Sequence, residues 1–462
     1  MGWDAVVERF LKRSPLTVMA HVTLRRALAA PWLDALFAEH AERQYVRSLL
    51  FSTVVDLLAS VTFGFRPSIH AAVKAAGATL PVSLTALYDK INRTEPLLVR
   101  AMVREGAQRL AGVLAALTTG GRGGAGGYTV RIVDGNHLPA TEKRLKALRG
   151  LRGAALPGHT LVIYDPQLGL AVDIVPCEDA HAQERSLTEA LLAMAAPEHL
   201  WVADRNFSTT RLFEGFAARG ASFIVRKHGR SPTVLESGRP RRAGRTGTGI
   251  VEEQAVTVTR SDGQPLALRQ IRVHLDTSTQ DGDTVIVLLT NVPVARLSAR
   301  AIAEQYRGRW TIEGMFGELE AALAGELHSL GQPKAALFAF GLAVLAFNVL
   351  QVVRRAVEAT HTVDGEVPAV SSYHVAVEIR ATYQGFVIAT TDTDWSRWDG
   401  LSDLRFAAVL RKIAAGLNID TVRKSQRGSK KPKPKGYVDR SIAQRHHSTA
   451  RLMAAARAKN TP

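Results

Sequence analysis

Cysteine occurs once in the 462 residues, at Cys177. That excludes an intrachain disulfide and fits a reducing compartment. Aromatic residues are few, at 6%, yet the hydrophobic fraction is 46% and the charged fraction 22%. Those values exclude wholesale disorder and predict a folded chain of several domains. Acids are scarce against bases, and the net charge is +17. The opening stretch MGWDAVVERFLKR carries charge throughout and lacks an apolar core, so no secretory signal is expected. His137, His159 and His181 fall into no zinc-binding pattern, and no Ser–His–Asp arrangement presents itself. Long apolar runs are also rare. Only 335–353 runs 19 residues without a charge, near the roughly 20 that a membrane span needs. It contains Asn348 and Gln351 and leads into Arg354-Arg355. A buried core helix is expected there, with no membrane as partner.

The positive charge is concentrated at one end. Residues 421–462 hold twelve lysines and arginines, among them Lys430, Lys431, Lys433 and Lys435, against one acid, Asp439. The run RKSQRGSKKPKPKG reads as a solvated tail, whose charge attracts polyanions with an affinity that falls with salt. Arg445-His446-His447 and Tyr437 also lie in this tail, outside any expected core.

Texture divides the rest. Residues 1–119 show helical periodicity. Within them, 69–93 reads as helix, turn around Gly77 to Pro81, and a second helix from near Ser83 presenting Thr85, Tyr88, Lys90 and Arg93. That pattern suits either major-groove reading or a plain helical hairpin. Six glycines among 120–127 form a linker. From 128 the pattern becomes strand, hairpin around Asp165-Pro166-Gln167, helix, strand, helix, strand. A Gly/Arg-rich antiparallel insertion follows at about 228–283, carrying Arg239, Arg241, Arg242 and Arg245, and then a buried strand and a long helix from about Ser298 to Leu323. Residues 331–420 are helical again. The fold class is therefore α/β, a mixed-sheet core at 128–330 with an inserted antiparallel β-module, flanked by all-α regions. Asp165, Asp173, Glu178 and Asp179 read as turn and surface acids.

Two aspartates, Asp134 and Asp204, each follow an apolar strand, the edge at which open α/β sheets place their sites. In AEQYRGRWTIEGMFGELEAAL, at about 100° per residue, Tyr306, Arg309, Glu313 and Glu320 share one helical face beside an apolar stripe of Ile312, Phe316, Leu319 and Leu323. Three carboxylates on rigid elements suit Mg²⁺ or Mn²⁺ and two-ion phosphoryl chemistry. An adjacent arginine suits a phosphate.

The run Tyr306-Arg307-Gly308-Arg309-Trp310-Thr311-Ile312-Glu313 resembles the signature of DDE transposases of the insertion-sequence-four type: Tyr, two residues, Arg, three residues, Glu, six residues, Lys. Asp-Arg-Asn-Phe at 204–207 resembles the family's second-aspartate motif and IVDGNH at 132–137 its first, so the resemblance covers roughly 128–350. It implies a ribonuclease H-like core and Mg²⁺- or Mn²⁺-dependent DNA strand cleavage and transfer with two ions. Asp134, Asp204 and Glu313 would be the catalytic metal ligands, and Tyr306 and Arg309 would contact the DNA end. Implied partners are double-stranded DNA, as element terminal inverted repeats and target, and a second copy of the chain when assembled on it. The implied location is cytoplasmic and nucleoid-associated. One position departs: Glu320 stands where the family has lysine. It motivates a second reading, a catalytically inactive, transposase-derived DNA-binding protein.

Overall fold

The computed structural model describes residues 5–44, 48–77, 80–118, 125–138, 158–180, 182–229, 231–279 and 282–425. The described residues begin with α1 Ala5–Arg13, α2 Pro15–Ala27, α3 Ala30–His40, α4 Phe51–Thr62, α5 Ile69–Ala76, α6 Leu84–Arg93 and α7 Pro96–Leu117. The sheet region contains β1 Thr129–Leu138, β2 Gly158–Asp165, β3 Leu170–Cys177, α8 Thr188–Leu192, β4 His199–Ala203, α9 Thr210–Ala218 and β5 Ser222–Arg226. It continues with β6 Val234–Thr246, β7 Gly249–Thr259, β8 Pro265–Leu275 and β9 Val285–Thr290. The chain then forms α10 Ala299–Arg307, α11 Thr311–Ala322, α12 Pro333–Thr360, α13 Ser372–Ala389, α14 Asp392–Trp395 and α15 Asp403–Ala414. Lys430, Lys431, Lys433, Lys435 and the rest of the basic tail beyond Ser425 lie outside the described residues, as do most of the Gly-rich linker and His181.

Among the described residues, nine strands make one sheet in the order β3-β2-β1-β4-β5-β9-β8-β7-β6. The first three pair antiparallel, while β1, β4 and β5 run parallel. This is the mixed, ribonuclease H-like core expected from the sequence. Its central strands are apolar on both faces because both faces are covered. Ile132, Val162, Val202 and Ile224 point into one hydrophobic cluster with α7, α10, α11 and α12. Their neighbours Val133, Ile163, Trp201 and Phe223 point into the other, under α8 and α9. The period of two therefore sorts adjacent residues onto opposite cores. The insertion is antiparallel, as expected, but it is no separate module. Strand β9 pairs with both β5 and β8, which extends the core sheet without interruption.

Helices from both ends of the chain pack into one body on the β1–β3 side, sharing a single cluster built around α12. Helix α12 is long and apolar enough to cross a membrane, and its apolar window is wholly buried within the chain. Its two buried polar side chains are satisfied: Asn348 donates to the Ala171 carbonyl of β3 at 2.8 Å and accepts from its N–H at 3.0 Å, and Gln351 donates to Glu318 at 3.1 Å. Helices α7 and α12 approach closely at Gly341, where a Cβ would stand 2.5 Å from Val99 Cγ1.

Helices α5 and α6 occur where the sequence predicts them, with Ser83 capping α6 by accepting from Ala86 N–H at 3.2 Å. Lys90 does not stand free on it. Its ammonium donates to Leu49 O at 2.7 Å and lies over the Phe37 ring. Two acids expected at turns or the surface are buried in ion pairs: Asp165 with Arg131 at 2.6 Å and Asp173 with Arg100 at 2.9 Å. Asp165 does also close the β2–β3 turn, accepting from the N–H groups of Gln167 and Leu168.

Candidate functional site

Parallel pairing of β1 with β4 ends at Val133 opposite Ala203. The next residue on each strand is Asp134 and Asp204, so the register sets the two carboxylates side by side. Asp134 is not the end of its strand, because β1 continues to Leu138 against β2. Asp204 leaves β4 into a 3₁₀ turn and accepts from Asn206 N–H at 2.8 Å. Asp134 accepts from Gly135 N–H at 3.0 Å.

The third carboxylate arrives on a broken helix. The sequence predicts one helix over 298–323, whereas the chain makes α10, a 3₁₀ turn at Gly308–Trp310, and then α11. Gly308 is a weak helix former, and the tighter turn re-aims α11 relative to α10. Arg309 sits in that turn, 8% exposed. It donates from one guanidinium nitrogen to Asp134 at 2.8 Å and from the other to Glu313 at 2.6 Å. Of the expected helical face, Arg309 meets Asp134 and ties Glu313 to it. Tyr306 is buried beside Arg309, and Glu320 is exposed.

Burial dominates the electrostatics. It pushes the Asp134 carboxyl up to about 6, against the pull of Arg309 and with help from Asp204 and Glu313. It raises Asp204 as well and pushes the Tyr306 hydroxyl up to about 12. Each shift records a cost of holding charge away from water. The donors are carboxylate oxygens, the set that hard divalent cations take. As arranged, no three such side chains among the described residues enclose an ion. The Arg309 guanidinium bridges Asp134 and Glu313, while Arg205 and Arg226 also act on Asp204.

A cleft of about 800 Å³ opens at this edge, between α10–α11, the turn after β6, the end of β8, and β9. Asp204 and Glu313 line it together with Arg205, Arg226 and Arg307, and with Trp310, which is 54% exposed. Arg239, Arg241, Arg242 and Arg245 are exposed along β6, the outer strand of the sheet. Arg245 pairs with Asp276 at 2.6 Å and Arg241 reaches Glu253 at 3.4 Å. Arg239 and Arg242 have no acidic partner among the described residues.

One acid at the site was invisible to sequence reasoning. Glu184, in the 3₁₀ turn before α8, accepts from Asn206 Nδ2 at 3.0 Å, and its carboxyl is raised to about 7 by burial and then by Asp204 and Asp134. Its local sequence, DAHAQERSL, offers no periodic or motif signal that sets this glutamate apart.

Residues 125–349 match the family model described as the transposase DDE domain. The matched segment holds Asp134, Asp204, Glu313 and all nine strands. No curated protein matches the chain.

Proposed function

We propose that the chain is a DNA transposase that cuts and joins the ends of an insertion element by metal-dependent phosphoryl transfer. The carrying observation is the juxtaposition of Asp134 and Asp204 on adjacent parallel strands, with Glu313 drawn to Asp134 through Arg309. The transposase DDE domain match over the same residues supports it. Asp134, Asp204 and Glu313 would hold two Mg²⁺ or Mn²⁺ ions, which, when bound, stabilise the attacking and leaving oxygens of an in-line displacement.

The remaining roles belong to the chain itself. The two aspartates present oxygens from rigid strand positions, which limits reorganisation at the moment of reaction. Arg309, freed from the carboxylates, offers a planar fork that fits a DNA phosphate. Tyr306 buttresses it. Arg205, Arg226 and Arg307 make the cleft attractive to a phosphate backbone, and the β6 arginines extend that field along the outer edge of the sheet. The partner is double-stranded DNA, as element ends and target, engaged by two copies of the chain in the cytoplasm. The basic tail adds affinity without sequence preference.

The test uses purified full-length protein on DNA carrying the flanking inverted repeats, with Mg²⁺, Mn²⁺ or EDTA. Strand cleavage is expected only with a divalent ion. Asp134→Ala, Asp204→Ala and Glu313→Ala should each lose at least about a hundredfold in cleavage rate, of the order that removing one transition-state interaction costs, while binding DNA as wild type does. Wild-type protein that shifts this DNA but never nicks it in either metal would overturn the reading in favour of an inactive DNA-binding derivative.

A further inference from the structure

Glu184 stands between the two aspartates in a way that its distance along the chain conceals. On one side it shares Asn206 with Asp204. The Asn206 side-chain amide donates to Glu184 Oε2 at 3.0 Å, and the Asn206 backbone N–H donates to Asp204 Oδ1 at 2.8 Å. On the other side it presses against the residue after Asp134. A Cβ on Gly135 would collide with Glu184 Oε1, so the glutamate reaches this position only because residue 135 has no side chain. A single turn and a single glycine thus bring Glu184 to both Asp134 and Asp204.

A second observation points to something bound beside it. His159, on β2, is fully buried, and neither of its ring nitrogens has a hydrogen-bond partner among the described residues. Its Nε2 lies 2.7 Å from the same imagined Gly135 Cβ that Glu184 Oε1 crowds. Stacking on His137, its cross-strand partner, holds the ring with centroids 4.6 Å apart. Buried polar groups are ordinarily satisfied, so an imidazole with two idle nitrogens, one of them beside the same bare Cα that Glu184 crowds, marks a place for a water or an ion. Charge agrees. Arg309 reaches Asp134 and Glu313 but not Glu184, and no cation among the described residues forms an ion pair with Glu184. Arg309 is committed to Asp134 and Glu313, and Arg226 to Asp283 at 2.6 Å, so a divalent ion would supply Glu184 with the positive charge it lacks.

We propose that Glu184 is a fourth acidic ligand of the divalent-metal centre, placed between Asp134 and Asp204, with His159 bonding to the metal-bound water or the carboxylate beside it. This rests on the metal-dependent reading above. Carboxylate oxygens with a neutral imidazole nearby suit Mn²⁺ as well as Mg²⁺.

The test is Mn²⁺ binding to the full-length chain without DNA, followed by electron paramagnetic resonance of free Mn²⁺. Melting in EDTA and in Mn²⁺ is measured alongside. Glu184→Gln preserves the size and the Asn206 hydrogen bond but removes the charge. It should weaken Mn²⁺ binding at least about tenfold or lose one ion per chain, within the range for removed metal-site groups. In EDTA it should melt at or above the wild-type temperature, because a half-buried carboxylate crowded by Asp134 and Asp204 has lost its charge, and the order should reverse in Mn²⁺. His159→Phe, which keeps the stack on His137, should also weaken Mn²⁺ binding. Wild-type Mn²⁺ affinity and stoichiometry in Glu184→Gln, alongside loss of binding in Asp134→Asn, would overturn this inference and leave the transposase reading intact. Wild-type protein that binds no Mn²⁺ would overturn both.

Discussion

Removing the Arg309 side chain tests whether this arginine holds the place of a metal ion. Its two donors stand 2.8 Å from Asp134 and 2.6 Å from Glu313. At an effective dielectric of about 20, attraction at that range is about 6 kcal/mol before desolvation is subtracted. The Glu313 side chain is 53% exposed, so its share is screened to under about 1 kcal/mol. The Asp134 side chain is 17% exposed and Arg309 10%, so this is the pair that counts. Breaking a buried pair by deleting one partner costs about 3–5 kcal/mol. Here the cost stays at the low end, because Asp134, already near 6, rises further and escapes by taking up a proton near neutral pH. Arg309→Ala should therefore destabilise the metal-free protein by about 3 kcal/mol. In wild type an ion must displace the arginine before it reaches the same oxygens; in the variant it need not. Saturating Mn²⁺ without DNA should then stabilise Arg309→Ala by about 2–3 kcal/mol more than wild type, or about 2–3 °C in melting temperature for a chain of this length. Scanning calorimetry in EDTA and in MnCl₂ measures both shifts, with Asp134→Asn as the unresponsive control. An equal or smaller Mn²⁺ shift in Arg309→Ala would refute the idea that Arg309 and the ion compete.

Replacing Arg239 and Arg242 by Gln should weaken binding to all DNA sequences alike and flatten the salt dependence by about 0.9 in log–log slope for each phosphate no longer neutralised; anisotropy titrations across a salt series measure it. The same change at Arg241 or Arg245 should do less, since each already has an acid within reach. His21, buried among Tyr383, Phe386 and Trp395, has its imidazole held down to about 4 by burial. A His with a lowered folded value is neutral in the fold, so stability is lost as pH falls from 6.5 towards 4. The loss is about 2 kcal/mol by pH 4.5, and His21→Phe should abolish that part of the acid sensitivity in denaturant titrations at pH 7 and 4.5. Gly341→Ala places a methyl against Val99 and should cost about 1–3 kcal/mol by overpacking the α7–α12 seam, read from the denaturant midpoint.

What was legible in the sequence was local. The apolar runs of β2, β4 and β5 and the turn at Asp165-Pro166-Gln167 announce themselves, because each depends on neighbours within a few residues. What was not legible depends on pairings far apart. That β9 returns to β5 and joins the insertion to the core is a hydrogen-bond register, and nothing in either strand's own pattern names its partner. The same holds for Asp173, which reads as a surface acid and is buried because Arg100, on α7, lies against β3. Apolar density did identify α12 as a core helix, but not that helices from both ends of the chain would share it.

The site shows the same division more sharply. Asp134 and Asp204 were visible because the strands before them are apolar and parallel pairing does the rest. The helical face was half right, and the error has a cause. An unbroken wheel puts Tyr306, Arg309, Glu313 and Glu320 together, but the 3₁₀ turn at Gly308–Trp310 advances each residue by about 120° instead of 100°. Over three residues that swings the following helix by about 60°. Arg309, inside the turn, is aimed at Asp134; Glu313, one α-helical turn later, is still within its reach; Glu320 ends in solvent. Glu184 was beyond reach because its signal is another residue's lack of a side chain. Gly135 after an aspartate reads as a turn, yet it lies within β1, and its bare Cα is where Glu184 and His159 converge. A glycine inside a strand marks a close approach as readily as a bend, and only the fold says what approaches.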